Sequence, residues 1–78
     1  MDAVRRAIAD EIRAERGRKR MSHADLIRRS GLSGATIATI EGAERDVELD
    51  QLEAIAGALG VTAVTLMQRA QNSLTCSE

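Results

Sequence analysis

The chain has 78 residues, 44% hydrophobic and 29% charged, with no Phe, Tyr, Trp or Pro, one Cys and a formal net charge of −1. A chain this short forms one domain, burying about 60% of its unfolded surface, and without Pro or long β-branched runs it favours an all-α fold with a core of Leu, Ile, Val, Ala and Met. A single Cys excludes an intramolecular disulfide and a cysteine-based metal cluster, no apolar run is long enough for a signal peptide or a membrane span, and no aromatic ring is present to stack on single-stranded bases.

The first predicted helix runs from Asp2 to Lys19. Asp2 is its N-cap, and Val4, Ile8 and Ile12 step by four along one face. Gly17 weakens its last turn by about 1 kcal/mol relative to Ala. The helix closes on the run RGRKR, Arg16 to Arg20. Cations there suit the negative end of the helix dipole. They suit a phosphate backbone equally well, which makes Arg16, Arg18, Lys19 and Arg20 candidate phosphate contacts. Met21, just before the next cap, is expected to pack inward as a hydrophobic staple.

The stretch SHADLIRRSGLSGATIATIE, Ser22 to Glu41, organises the chain. Ser22 caps a helix over His23 to Ser30, with Asp25 in the capping-box position. Gly31 breaks that helix by entering a left-handed turn without steric cost. Ser33 caps a second helix over Gly34 to Glu41. Leu26 and Ile27 before the turn, and Leu32, Ile37 and Ile40 after it, can share one core. Two short helices joined this way form a helix-turn-helix, whose second helix enters the DNA major groove. An ordinary αα-hairpin in a small bundle fits the same spacing.

Ser22 and His23 stand where helix N–H groups attract an anion, and are further phosphate candidates. Arg28 and Arg29 lie on an outer face and are expected to be solvated. Ser33, Gly34, Ala35, Ala38 and Thr39 fall on the exposed side of the second helix and are the base-reading candidates. This face has no Arg, Lys, Gln or Asn, the residues that pair bidentately with base edges. Its methyl groups can touch thymine methyls, so limited discrimination per base, or help from DNA shape, is expected.

Gly42 is a natural helix stop, and Gly42 to Glu48 form a loop that is acidic through Glu44, Asp46 and Glu48. Arg45 is its one cation and another phosphate candidate. A fourth helix, Leu49 to Leu59, carries Leu49, Leu52, Ile55, Ala56 and Leu59 at the spacing of a buried stripe. Gly60 ends it. Thr62 caps a fifth helix, Ala63 to about Gln71, with Val64 and either Leu66 or Met67 available for burial. Residues 1–71 form the domain, and 72–78 a polar, frayed tail. Leu66, Met67 and Leu74 exceed what a five-helix monomer needs, and are candidates for a homodimer contact.

Charge is unevenly placed. Residues 1–45 carry ten Arg and Lys against seven Asp and Glu, a net +3; residues 46–78 carry one Arg against five acids, a net −4. The positive half contains the helix-turn-helix, as expected of a polyanion-binding face. Paired carboxylates in an obvious cleft, a phosphate-cradling Gly loop and a Cys–His pair are all missing, so an enzyme is not expected, nor a cofactor.

Taken together, IRAERGRKRMS, DLIRRSGLSGATIATIEG and LDQLEAIAGALGVTAVTL resemble the Cro/CI-type (XRE-like) helix-turn-helix regulators of phages and bacteria, over roughly residues 5–69. The resemblance rests on the Leu26-to-Gly31 step, the G-L-S turn, Ile37 with Ile40, the I-E-G ending and the A-L-G-V segment. It implies a compact five-helix, lambda-repressor-like DNA-binding domain whose third helix is the recognition helix. It also implies an ion pair between Arg16 and Glu41, phosphate near Ser22 and His23, and bases nearest Ser33, Gly34, Ala35 and Thr39. Relatives often carry Gly where Arg20 stands, Gln where His23 stands, and a basic loop where Glu44 and Asp46 stand. The function this implies is a sequence-selective, double-stranded-DNA-binding regulator of transcription, a cytoplasmic homodimeric repressor. The alternative is a protein-interaction module, an antitoxin-like or anti-repressor adaptor on the same fold.

Overall fold

The computed structural model describes residues 2–76, and the side chains of residues 3–74. It contains five helices: α1 (Asp2–Arg18), α2 (His23–Ser30), α3 (Gly34–Glu41), α4 (Leu49–Leu59) and α5 (Ala63–Cys76). The side chains of Asp2, the expected first cap, and of Cys76 lie outside the described residues. Among the described residues, no single helix is long and apolar enough to cross a membrane.

Local chemistry sets the helix starts. At α2 the Ser22 hydroxyl accepts the Asp25 N–H at 3.0 Å, and the Asp25 carboxylate accepts the Ser22 N–H at 3.2 Å. Ser33 accepts the Thr36 N–H at 3.1 Å, and Thr62 the Thr65 N–H at 3.0 Å. Each bond satisfies a donor that the first helical turn leaves open.

The helix ends follow a less visible rule. α2 ends at Gly31, left-handed at φ 76°. α1, α3 and α4 all end in the paired six-to-one and five-to-two bonds of a Schellman turn. In α1 the bonds are Met21 N–H to Arg16 O and Arg20 N–H to Gly17 O; in α3, Glu44 N–H to Thr39 O and Ala43 N–H to Ile40 O. In α4 they are Val61 N–H to Ala56 O and Gly60 N–H to Gly57 O. The left-handed residue is therefore Arg20 (φ 53°) after α1 and Ala43 (φ 57°) after α3. Gly42, the expected stop, has an ordinary φ of −85°.

α1 lies mainly against α5, and α2 against α4. Between them is a core in which Ile12, Leu26, Ile37, Ile40, Ile55, Leu59 and Leu66 are fully enclosed, with Met21, Leu52 and Ala56 beside them. Each large aliphatic side chain stabilises the fold by about 1.5–3 kcal/mol. Three burial expectations change. Leu49 is 78% exposed: it opens α4 beyond the packed layers, and Val47 covers the core at that end instead. Val64 is 71% exposed, because α5 turns Ala63, Leu66 and Ala70 inward. Val4 lies at the open edge of α1 and remains partly exposed. The fifth helix also continues past Gln71 to Cys76, where Leu74 extends its apolar edge beside Val4 and Ile8.

One polar cluster joins α1 to α5. Glu15 is only 3% exposed, and its carboxylate accepts hydrogen bonds from Arg18 at 2.7 and 2.9 Å and from Arg69 at 2.6 Å. Lys19 Nζ stands 3.5 Å from the same carboxylate and donates to the Leu59 carbonyl at 2.9 Å, closing the end of α4. The Arg18 hydrogen bond, ahead of an opposing burial effect, holds the Glu15 carboxyl below the usual carboxylate range; Arg69 adds to it. A carboxylate whose folded pKa is lowered stabilises the fold fully above its unfolded pKa, and that contribution fades as the pH falls through the folded value.

Glu15→Gln is therefore expected to cost about 1–2 kcal/mol at pH 7, since the half-exposed cations left behind regain water. Urea unfolding should show the gap between the two proteins closing below about pH 4. Ala43→Gly is expected to raise stability by about 0.5–1 kcal/mol in the same assay, because Gly relieves the left-handed residue at little steric cost.

Candidate nucleic-acid interface

The orientation of α3 begins with its only charge. Glu41 is 7% exposed, and Arg16 grips its carboxylate with two prongs: Nε to Oε2 at 3.1 Å and Nη2 to Oε1 at 3.1 Å. The remaining Nη1 of Arg16 donates to the Met21 carbonyl at 3.3 Å, and Arg13 Nη1 donates to the Glu41 carbonyl at 3.1 Å. The end of α3 is thus tied to α1 and to the α1–α2 turn. With Ile37, Ile40 and Glu41 turned inward, helical geometry directs Ala35, Ala38 and Thr39 outward. Ala35 and Ala38 are exposed and Thr39 is half-buried.

Gly34 sits nearer the packed side. A Cβ built on it would stand 3.3 Å from Ile27 Cδ1, so its bareness serves the close approach of α3 to α2. Ser33 is exposed at the start of the helix. Its hydroxyl accepts the Thr36 N–H and donates to Thr36 Oγ1 at 2.9 Å. Thr39 donates its hydroxyl to the Thr36 carbonyl at 2.9 Å.

The candidate phosphate contacts separate into two groups. Arg16 is committed to Glu41, and Arg18 to Glu15 and Glu11. Lys19 is committed to Leu59 and Glu15. These three are tied to the molecule's own carboxylates and the end of α4, while the side chains of Arg18 and Lys19 stay 52% and 43% exposed. Arg20 is exposed and makes no ion pair among the described residues. Ser22 is exposed and His23 half-buried at the start of α2. There the Ser22 N–H, then its hydroxyl, and then Arg28 hold the Asp25 carboxyl below its ordinary range. Arg45 lies 3.9 Å from Glu48. The acidic loop is partly neutralised, since Arg5 of α1 reaches Asp46 at 2.9 Å.

Of the candidate dimer residues, Leu66 is wholly enclosed in its own chain, whereas Met67 is 46% exposed. Met67 and Leu74 line an apolar groove of about 250 Å³ between α1 and α5, with Val4, Ile8, Ala70 and Gln71. Leu66 is buried because α5 continues the Ala63–Leu66–Ala70 stripe, not the Val64–Met67 one.

Sequence reasoning overlooked Arg13, Glu15 and Arg5. Arg13 stands one turn before Arg16 on the same helix, a spacing that could have marked it. Glu15 gave no such signal, because a charged residue is read as surface until its partners are seen.

Comparisons with known proteins agree with this geometry. A family described as "Helix-turn-helix domain" matches residues 7–70. The clp gene regulator ClgR from Corynebacterium glutamicum, 22% identical, superposes with a TM-score of 0.87 over 95% of this chain and 79% of that one. The wild-type restriction-modification controller protein C.Esp1396I is 25% identical, with a TM-score of 0.84 over 92% of this chain and 94% of that one. The hypothetical transcription factor NHTF from Neisseria is 30% identical, with a TM-score of 0.80 over 94% of this chain and 84% of that one. No curated protein matches.

Breaking the fork leaves one charge stranded. Arg16→Met is expected to destabilise by about 3–5 kcal/mol, and Arg16→Met with Glu41→Leu to recover most of that loss, as read from urea unfolding midpoints.

Proposed function

Because this chain belongs to the helix-turn-helix domain family, we propose that it is a sequence-selective regulator of transcription. It binds double-stranded DNA with α3 in the major groove and represses by occupying its site. The observation that carries this reading is the outer face of α3: exposed, without charge, built of small side chains and held at a fixed angle by the Arg16–Glu41 fork. Small side chains let a helix approach base edges closely. At the start of α2, His23 offers its backbone N–H and Ser22 its hydroxyl proton to a phosphate, the Ser22 N–H being held by Asp25. Arg20 and Arg45 supply exposed cations, and the half-exposed Arg18 and Lys19 can add to them, while Arg16 braces the scaffold.

A single small module makes few contacts, so two copies on half-sites about 34 Å apart complete the site. The second copy meets the first through the α1–α5 groove, at Met67 and Leu74. A protein-binding adaptor is the second reading, favoured by the neutral α3 and by the acids Glu44 and Glu48 in the neighbouring loop.

Anisotropy titrations on duplex DNA at about 50 and 200 mM salt separate the two. For the regulator, affinity falls with salt. Arg20→Gln and Arg45→Gln then weaken binding to every sequence and each reduce the salt slope by about 1. Binding indifferent to salt, or a co-purifying protein partner with no DNA shift, overturns it in favour of the adaptor. A chain that sediments as a monomer at high micromolar concentration rejects the dimer.

A further inference from the structure

The reading face of α3 contains hydroxyls, yet the structure commits their protons elsewhere. The Ser33 proton goes to Thr36 Oγ1 and the Thr39 proton to the Thr36 carbonyl. Ala35, Ala38 and Thr39 span about 100° of arc around the helix. On that arc no side chain has a free proton to offer a base edge; the exposed groups are the Ala35 and Ala38 methyls, and the half-buried Thr39 beside them carries a further methyl. Thr36 lies about 60° further round, toward the side of the helix that packs. The one charge of α3 does not intrude, since Glu41 is enclosed in the Arg16 fork.

In the major groove, the base feature that matches an aliphatic surface is the 5-methyl group of a pyrimidine, and Thr39 Oγ1 can add only an acceptor for an exocyclic amino group. We propose that α3 selects DNA by packing methyl against methyl, so that its target is a duplex rich in thymine at the contacted steps. Ala35, Ala38 and Thr39 are the specificity-determining residues, and 5-methylcytosine at a contacted step binds more tightly than cytosine. This rests on the placement of α3 in the groove proposed above. It names the feature read there, which neither the family nor its regulators' fold prescribes.

Thymine and uracil differ only by that methyl, so the test is direct. The full chain is used to enrich a binding site from random duplex DNA, and the enriched site is titrated by anisotropy. Deoxyuridine then replaces thymine one position at a time. Each contacted methyl removed should weaken binding about fourfold, the worth of one buried CH₂, while uracil in the flanks changes nothing. Replacing cytosine by 5-methylcytosine at contacted steps should tighten binding. Thr39→Ser keeps the hydroxyl and removes the methyl, so it should lose the preference for thymine over uracil at one step while unfolding at the same temperature. Equal affinity for the thymine and uracil duplexes, with binding intact, overturns the methyl readout and leaves DNA regulation standing. An enrichment that yields no bound duplex overturns DNA regulation itself, and the methyl readout with it.

Discussion

One side chain fixes where everything else points. Arg16 bonds to the carboxylate that ends α3, to the carbonyl of Met21 in the preceding turn, and by its own backbone to α1. A guanidinium does this because its donors lie in one plane as a fork; a lysine ammonium in the same place could not hold both carboxylate oxygens. Glu41 is nearly sealed from water, and an enclosed carboxylate without its partner is expensive. The pair is therefore a constraint on geometry more than a source of stability. It sets the rotation of α3 about its own axis. A helix of eight residues whose Ile37 and Ile40 alone faced the core could rock between neighbouring packings; the fork removes that freedom.

Electrostatics must be followed in space. Counting along the chain gives a positive first half, but Glu11 and Glu15 take Arg18, Glu15 also takes Arg69, and the end of α4 takes Lys19. These ties hold α1 against α4 and α5. The reverse occurs in the loop after α3, where a count gives an acidic segment and Arg5 offsets Asp46.

The helices were legible where residues with unusual backbone or capping chemistry mark them. Ser22 and Gly31 bound α2, Ser33 opens α3 and Gly60 closes α4, each where the residue indicates. The turns at Arg20 and Ala43 were hidden, because neither residue type announces a left-handed conformation. Leu49 and Val64 were misread for another reason. Periodicity tells which side of a helix is apolar, but not how far along its length a partner extends or which of two adjacent stripes it covers. At the candidate interface, the exposure of Ala35 and Ala38 followed from the inward set Ile37, Ile40 and Glu41, so it could be read from spacing. The fate of Arg18 and Lys19 could not, since it depends on where α4 ends and where Arg69 lies, both distant in sequence.

A recognition surface with little charge carries its own logic. Non-specific attraction to DNA comes from cations meeting phosphates, and it grows with every free Arg or Lys. Selectivity is the ratio of affinity for the right sequence to affinity for all others. In this chain Arg16, Arg18 and Lys19 beside the helix-turn-helix each share their charge with the molecule's own carboxylates, which weakens the non-specific pull each can exert on a phosphate. Weak contacts from Ala35, Ala38 and Thr39 can then discriminate, but they cannot hold the duplex by themselves. In the proposed dimer, the missing affinity comes from avidity: a second copy seated in the groove between α1 and α5 would make the second half-site encounter intramolecular and raise its effective concentration. Under that proposal a methyl-lined helix and the apolar groove between α1 and α5 are one design: the first limits what each copy can hold, and the second would let two copies hold together.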